Sequence, residues 1–567
     1  MPSQKSRFGP WLPDIPVLGS PGSDVVENAL PVQGGFRPLR RVAPVTEALN
    51  KTILAAVYAL SSNRTAFGFV ATSSTLEAVD DTSFKNISRA GGYQTPDGGD
   101  WDFARFRDLL FASNFGDPIQ QFDLNTDTKF ANIEAGAPKC RFLAVVNRFL
   151  CAFNLNVDGT LLPTGVRWSG VDTPSKFPPI DILTGIRSDE AIQTLSDRQI
   201  LGTEFGEITG VRSGPSGADA VVFQEESITA MNFQQGEFIF SFDVLEGARG
   251  CIAPRSIVQE GGRVFYLADT GLHVTDGVSS DQIGDSRVDD FIFAAVVQDR
   301  IREIRGEIDV RGKFIYWFLP GFDDLALIYN YSINEFSLGR GLGLRAFVRA
   351  LSTAPSFESA VEPFGSTDNM PLSLDDPQFS GSTLPSLAAI DEQNRLGPLS
   401  GATLSARLRT PEIEPVEDGR AYTQFARPLI DTDQVTVRAI TRDEQQRPQV
   451  VGAGARLSGG KASIRQTARY WALEIETDEG AEWTFAQGIQ AVFEAAGNEA
   501  PDAVEVDFIR PKYLLAVQHV RLTTDEGVPL LWVDQVEPAA EPQGLVTGDG
   551  KQLVTDDGKA LVALLTG

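Results

Sequence analysis

A short apolar strand returns along this chain every 40 to 50 residues, with one longer gap and almost no helical pattern between the copies. The copies are Phe67–Ala71, Leu109–Ser113, Phe149–Phe153, Val221–Phe223, Val264–Ala268 and Phe314–Phe318, and their first residues stand 42, 40, 72, 43 and 50 positions apart. A continuous apolar strand needs cover on both faces. This period is that of one four-stranded blade of a β-propeller, where neighbouring blades give the cover. In the sixth unit Ile304–Val310 alternates, Arg311-Gly312-Lys313 turns, Phe314–Phe318 is continuous, and Leu325–Tyr331 and Glu335–Leu338 follow. The expected fold class is mainly β: a propeller of six or seven blades, an additional antiparallel β platform and an extended N-terminal arm. Propellers host many functions, so the fold alone names none.

Around the repeat the chain divides by texture. Residues 1–50 carry eight prolines (Pro2, Pro10, Pro13, Pro16, Pro21, Pro31, Pro38, Pro44), which forbid a long helix. Such an arm stays disordered or lies along another surface. Residues 51–349 read as blades. The long gap predicts an insertion over 173–207, Pro-rich with a polar helical candidate at Asp189–Leu201. Residues 350–402 are irregular or a divergent blade, and Leu387–Asp391 is a candidate start for a seventh. Over 403–540, alternating strands such as Val435–Ile440, Tyr470–Glu476 and Gln490–Glu494 predict a sandwich-like platform. Residues 541–567 repeat a Leu-Val pattern every eight residues with Asp-Gly turns, a meander too small to stand alone.

Charge and special residues narrow the function. The net charge of −27 repels nucleic acid, and no Lys/Arg run offers a phosphate grip. Cys140, Cys151 and Cys251 are too few for a disulfide framework and fit a reducing compartment. No apolar leader opens the sequence, and no window reads as a membrane span.

Chemistry-bearing motifs are sparse. His273 and His519 are the two histidines, far apart in sequence, so no His-based triad or zinc site is expected. Gly459-Gly460-Lys461 lacks the remaining P-loop residues, with Ala455 and Ala462 at the deciding positions. Gly339, Gly341 and Gly343 read as a loop. Asp123, Asn125, Asp127 and Glu134 have calcium-loop spacing, but Thr128 stands where glycine is needed. Asp80-Asp81, Asp289-Asp290 and Asp323-Asp324 have the residue type of a glycosidase dyad and the sequence context of solvated turns. No catalytic residue, cofactor or metal is expected beyond the weak calcium candidate.

A set of ordered motifs remains. Trp11-Leu12-Pro13-Asp14-Ile15-Pro16 is followed by Asn28-Ala29-Leu30-Pro31 and Gly35-Phe36-Arg37-Pro38-Leu39. Next come Gly91-Gly92-Tyr93, Trp101-Asp102-Phe103, Ala137-Pro138-Lys139 and Val166-Arg167-Trp168-Ser169-Gly170. Gly250-Cys251-Ile252-Ala253-Pro254-Arg255-Ser256, Val264–Gly271 and Leu327–Tyr331 complete the series, which resembles podovirus tail nozzle proteins, also called tail hub or packaged-DNA stabilisation proteins. The resemblance spans roughly residues 8–345 and, more loosely, Arg465–Phe493. It implies a non-enzymatic virion protein, assembled in the host cytoplasm as a homo-hexamer at the end of a short phage tail. Implied partners are the tail adaptor below the portal, tail fibre or tail needle proteins, and genomic DNA passing through a gated lumen. An acidic lumen lets DNA slide. The arm would dock on a neighbour and the tail repeat would exchange strands. The alternatives are a tail-associated glycan-binding or glycan-cleaving propeller and, below it, a cellular interaction hub. On the nozzle reading Trp168 and Trp317 are buried core residues.

Overall fold

The computed structural model describes residues 4–351 and 385–496, apart from positions 18, 81, 135, 182, 235, 237 and 322–324, together with residues 543–544 and 562–563. The described residues are mainly β, with two short α-helices among them, α1 (Asp189–Gln193) and α2 (Asp289–Ala295).

Six four-stranded antiparallel blades follow one another in sequence. Blade one is Ile53–Leu60, Ala66–Thr72, Leu76–Asp80 and Ser83–Asn86; blade two begins at Asp102, blade three at Lys139 and blade four at Ile208. Blade five runs from Val258 to Gln282, and blade six comprises Arg305–Asp309, Phe314–Leu319, Leu325–Asn330 and Glu335–Arg340. The recurrent apolar segments are the second strands. Phe69, Phe111, Phe153, Phe223, Phe265 and Trp317 on them are fully buried. Alternate residues of each such strand enter the core shared with the blade before and the core shared with the blade after. That explains a continuous apolar run where a one-sided sheet would alternate.

A three-stranded sheet (Leu344–Leu351, Pro385–Asp391, Leu396–Pro398) closes the ring, packing on blade six through Phe347, Leu387 and Ala389 and on blade one through Ala346, Val348 and Ile390. The candidate strand Leu387–Asp391 lies in it. Its free edge is taken by the arm. Ala43 N donates to Pro398 O (2.9 Å) and Val45 N to Leu396 O (2.8 Å), while Leu396 N donates to Thr46 Oγ1 (2.9 Å). Gly397 permits this approach, since a Cβ there would lie 2.1 Å from Ala43 O. Chain from before blade one and chain from after blade six therefore share one sheet.

The rest of the arm is consumed within its own molecule. Val26–Glu27 pairs with the outer strand of blade six on one side and with Arg407–Arg409 on the other. From there the sheet runs on through Tyr470–Thr477 and Val435–Arg442. It turns a corner at Ala455–Ser458, which pairs both with Val435–Arg442 and with Lys461–Ala468. Arg420–Ile430 and Ala486–Ala496 follow, and the latter receives the arm strands Gln4–Arg7 and Gly35–Pro38. The inner faces of the two halves of this bent sheet fill one core, with Trp471, Val437 and Ile475 from one half and Ala426, Ala462 and Ile489 from the other. Trp11 and Phe36 of the arm are buried in the same core. Of the two states expected for the arm, disordered or laid along another surface, it takes the second within its own molecule, where its apolar residues seal propeller to platform.

Gly459-Gly460 is the two-residue turn of the hairpin Ala455–Ala468, with both φ values positive (59° and 73°), as a type I′ turn requires. The insertion is shorter than 173–207, because Arg198–Ile200 is the fourth strand of blade three, paired with Gly165–Arg167. The helical candidate Asp189–Leu201 shrinks to α1. Ser188 caps its start by accepting from Ala191 N (3.2 Å), and Leu195 in the left-handed region (φ 60°) ends it.

Beyond residue 498 a separate unit contains the antiparallel pair Gln543–Gly544 and Val562–Ala563. The rest of the eight-residue repeat lies outside the described residues, as do residues 497–540 of the expected platform span.

Candidate functional site

The blade order brings the first strands together around the propeller axis, with the 3₁₀ turn Pro254–Ser256 standing beside the first strands of blades four and six. Charged side chains from many blades meet there. Arg255, before blade five, and Arg305, on blade six, both bind the Asp100 carboxylate, which precedes blade two on the opposite side of the ring; the Arg305 contact is 3.3 Å. Arg305 also donates to Leu54 O of blade one. Asp102 accepts from Leu143 N of blade three (2.7 Å), Arg212 of blade four donates to Ile257 O (2.7 Å), and Arg349 of the closing sheet donates to Glu307 of blade six (2.8 Å). Arg302 joins Glu207 (2.7 Å) and Glu225. The Arg255 and Arg305 contacts to Asp100 cross the axis, so the propeller's own centre is a tied plug.

Burial shapes the protonation of this plug. It lowers Arg212 and brings Arg255 down to about 10. Burial pushes the Asp102 carboxyl from 3.8 up to about 6, opposed by the charge of Arg212 and the Leu143 and Phe103 amides. Between these two values the folded chain holds a proton that the unfolded chain releases. Acidification through about pH 6 towards pH 4 therefore adds stability, and that contribution is lost as pH rises through about 6. Asp102→Asn is expected to remove it. Urea midpoints measured across the window should rise on acidification more for the parent than for the variant, and parallel curves would refute the assignment.

The resemblance motifs lie at the joints. Trp101 Nε1 donates to Thr72 O (2.8 Å), tying blade two to blade one, and Lys139 Nζ reaches Gly116 O (2.5 Å). Arg167 is buried with no carboxylate partner among the described residues and donates to Gly136 O (2.8 Å) and Pro178 O (2.7 Å); burial lowers it to about 10. Beside it Trp168 Nε1 donates to Leu195 O (3.0 Å) and Ser196 Oγ to Trp168 O (2.7 Å). This clamp fixes the excursion that ends in α1 and leaves Leu183, Ile186 and Ile192 exposed. In the Gly250–Ser256 motif Ser256 accepts from Leu267 N (3.0 Å) through Oγ and from Trp317 Nε1 (2.9 Å) through its carbonyl. Trp168 and Trp317 are both buried.

A second charge cluster binds arm, propeller and platform. Glu474, buried, receives Arg409 Nη2 at 2.8 Å and Nε at 3.0 Å, with Arg407 at 3.4 Å and Arg438 at 3.7 Å. Arg407 also meets Glu27 of the arm (3.1 Å), which meets Arg340 of blade six (2.9 Å), and Arg409 meets Asp24 (2.7 Å). Neither cluster is visible as a charge spacing along the chain, although Asp102 and Arg255 lie inside the ordered motifs.

The calcium candidates do not converge. Asp127 accepts from Asp123 N (2.8 Å), Asp123 accepts from Asn125 N (2.9 Å), and Asn125 accepts from Asn63 Nδ2 (3.0 Å). Glu134 faces Lys176 (3.8 Å). The side chains close their own turn, and among the described residues no group of three or more His, Cys, Asp or Glu is placed to hold a metal. His273 is a core residue stacked on Tyr266 and paired through Nε2 with Thr270 Oγ1 (2.9 Å); burial lowers its pKa. Asp289 is held by Leu272 N (2.9 Å) and Gln282 (2.8 Å), and Asp14 accepts from Asp290 N (2.9 Å). His519, Asp81, Asp323 and Asp324 lie outside the described residues.

All three cysteines are free and buried. Burial raises Cys251 to about 11, Cys140 to about 12 and Cys151 further in the same direction. Thiolate is the reactive form. A colorimetric thiol reagent is expected to leave all three unlabelled in the folded protein and to titrate three thiols in denaturant; a rapidly labelled thiol in the native state would contradict this.

Fold and joints together define a β-propeller with an integral antiparallel platform. No family model and no curated protein matches the chain. Solved propellers resemble it at low identity: BamB from Moraxella catarrhalis (11% identity, 65% of this chain and 92% of that chain, TM-score 0.31) and the Myceliophteria thermophila Cps50 (Swd1) β-propeller domain (9% identity, 62% and 98%, TM-score 0.34). At these values neither likeness bears on function. Among the described residues no helix is long and apolar enough to cross a membrane.

Proposed function

We propose that this protein is a structural component of a virion, the nozzle or hub ring of a short phage tail, assembled as a homo-hexamer on the tail adaptor. The observation that supports this most is where the ordered motifs fall. Trp11, Phe36, Trp101 and Ser256 bind blade to blade, or propeller to platform, and Arg167 fixes the excursion of its own blade, instead of converging on a pocket. A sequence signature spent on rigid joints fits a scaffold. The tied axis adds a constraint: DNA would pass through the lumen of the assembled ring and not through a propeller. On this reading the acidic surface lines that lumen, where phosphates find few cations.

A second reading, a tail-associated glycan-binding propeller, has one observation in its favour. Exposed Phe238 borders a shallow groove with Gln199, Gln234 and Ser241 on the rims of blades three and four. Aromatic and amide groups of this kind suit a sugar face. Electron microscopy of the full chain, alone and with its adaptor, separates the two. A six-fold ring on the tail axis is expected; a stable monomer that releases or retains capsule sugar would overturn the nozzle reading.

A further inference from the structure

The outer half of the platform is a sheet of four adjacent strands, Gln4–Arg7, Ala486–Ala496, Arg420–Ile430 and Lys461–Ala468. Ala426, Ala462, Ile489 and Ala491 fill its inner face. The register sets Lys5 and Arg427 on either side of Gln490, and Lys5, Arg7, Arg427, Lys461 and Arg465 are all exposed. The four strands carry six Lys or Arg and a single carboxylate, Glu494. Arg420 is bound by Asp443 (3.0 Å). The other five cations form no ion pair among the described residues, whereas surface arginines nearby do, as in Arg456–Asp478 (2.5 Å) and Arg469–Asp418 (2.8 Å). Amid these charges Phe425 and Val492 are each 40% exposed, and Lys461 Nζ sits 5.5 Å from the Phe425 ring centre.

Five unpaired cations on one face are unexpected in a chain of 49 basic and 76 acidic residues. Their mutual repulsion is relieved when an anionic surface covers them. An exposed aromatic flanked by Arg is also a feature of protein interfaces. We infer that this face is an assembly interface whose occupant is an acidic surface of a second copy of this chain. The charge excess elsewhere on the molecule supplies that surface. Two such basic faces repel each other, so the contact is not two-fold. It is head to tail, the class that closes rings when the rotation permits. The inference deepens the homo-oligomer proposed above and rests on that part of it.

Sedimentation velocity of the full chain at low and high salt tests this. The parent is expected to self-associate at low salt and to dissociate as salt rises. The double variant Arg427→Glu with Lys461→Glu should associate about 100-fold more weakly, because like charges then face each other. Arg427→Lys with Lys461→Arg should associate as the parent does, and unchanged thermal unfolding of both variants shows that the exposed substitutions spare the fold. A parent monomeric throughout, or association indifferent to the reversal, overturns the inference. So does duplex DNA binding that the reversal abolishes, which would assign the face to a polyanion. A head-to-tail oligomer of another copy number would defeat the nozzle and leave this interface standing; a six-fold ring insensitive to these charges would do the reverse.

Discussion

Glu474→Ala is expected to lower the unfolding free energy by about 3–5 kcal/mol, the cost of breaking a buried ionic network from one side. The carboxylate is buried and is the acceptor for both Arg409 contacts, with Arg407 and Arg438 closing around it. Without it Arg409, itself only 11% exposed, keeps Asp24 alone, and the cations repel one another. The cluster spans arm, blade six and platform, so the loss should appear as earlier release of the platform and not as uniform softening. Urea unfolding followed by tryptophan emission measures the first effect, and hydrogen exchange at Val26 and Leu408 the second. The exposed pair Arg447–Glu444 provides the contrast. Glu444→Ala should cost at most about 1 kcal/mol. Equal effects at the two sites would mean that the buried network contributes nothing beyond a surface pair.

Trp317→Ala should be comparably severe, about 3–5 kcal/mol for an emptied aromatic site in a packed core. Its indole is 1% exposed and fills the seam between blades five and six with Phe265 and Tyr329. The seam can relax little, since Gly306 presses on the ring so closely that a Cβ there would stand 2.7 Å from it. The substitution also removes the donor to Ser256 O. Ser256 holds Leu267 N, and the neighbouring Arg255 is tied to Asp100. Amide exchange at Leu267 should therefore accelerate more than at Phe111, three blades away. A loss below about 1 kcal/mol would show that the seam collapses onto the void.

The blades were legible in the sequence because each second strand is covered twice, which imprints a continuous apolar run at fixed spacing. Phe314–Leu319 is the clearest case, buried at every position. The closing sheet was less so, because its edge is supplied by Ala43–Thr46, hundreds of residues from its partners and without any apolar period. The arm's place in the core is hidden for a related reason. Prolines correctly excluded a helix, but Val26, Ala29 and Phe36 are too scattered to announce a place in a core formed with Trp471. The end of the excursion is hidden because the strand Arg198-Gln199-Ile200 is largely polar, as an outermost strand is free to be. The axial plug was invisible for a different reason. Asp100, Arg255 and Arg305 are remote in sequence, and only the closed ring brings them together.

The sharing of one sheet by both ends of the propeller orders events during synthesis. Thr46 and Leu396 meet across 350 residues. At about 5–20 residues per second, Thr46 waits roughly 20–70 s for its partner to be made. Until then Ile53 and Val70 on blade one have no cover from Ala388 and Ile390. Blades one to six can stack in turn as they emerge, but the final joining is a single long-range step, the slow kind. A nascent chain stalled before residue 385 would present an unsheathed apolar face, and chaperone occupancy should fall as ribosomes pass that point.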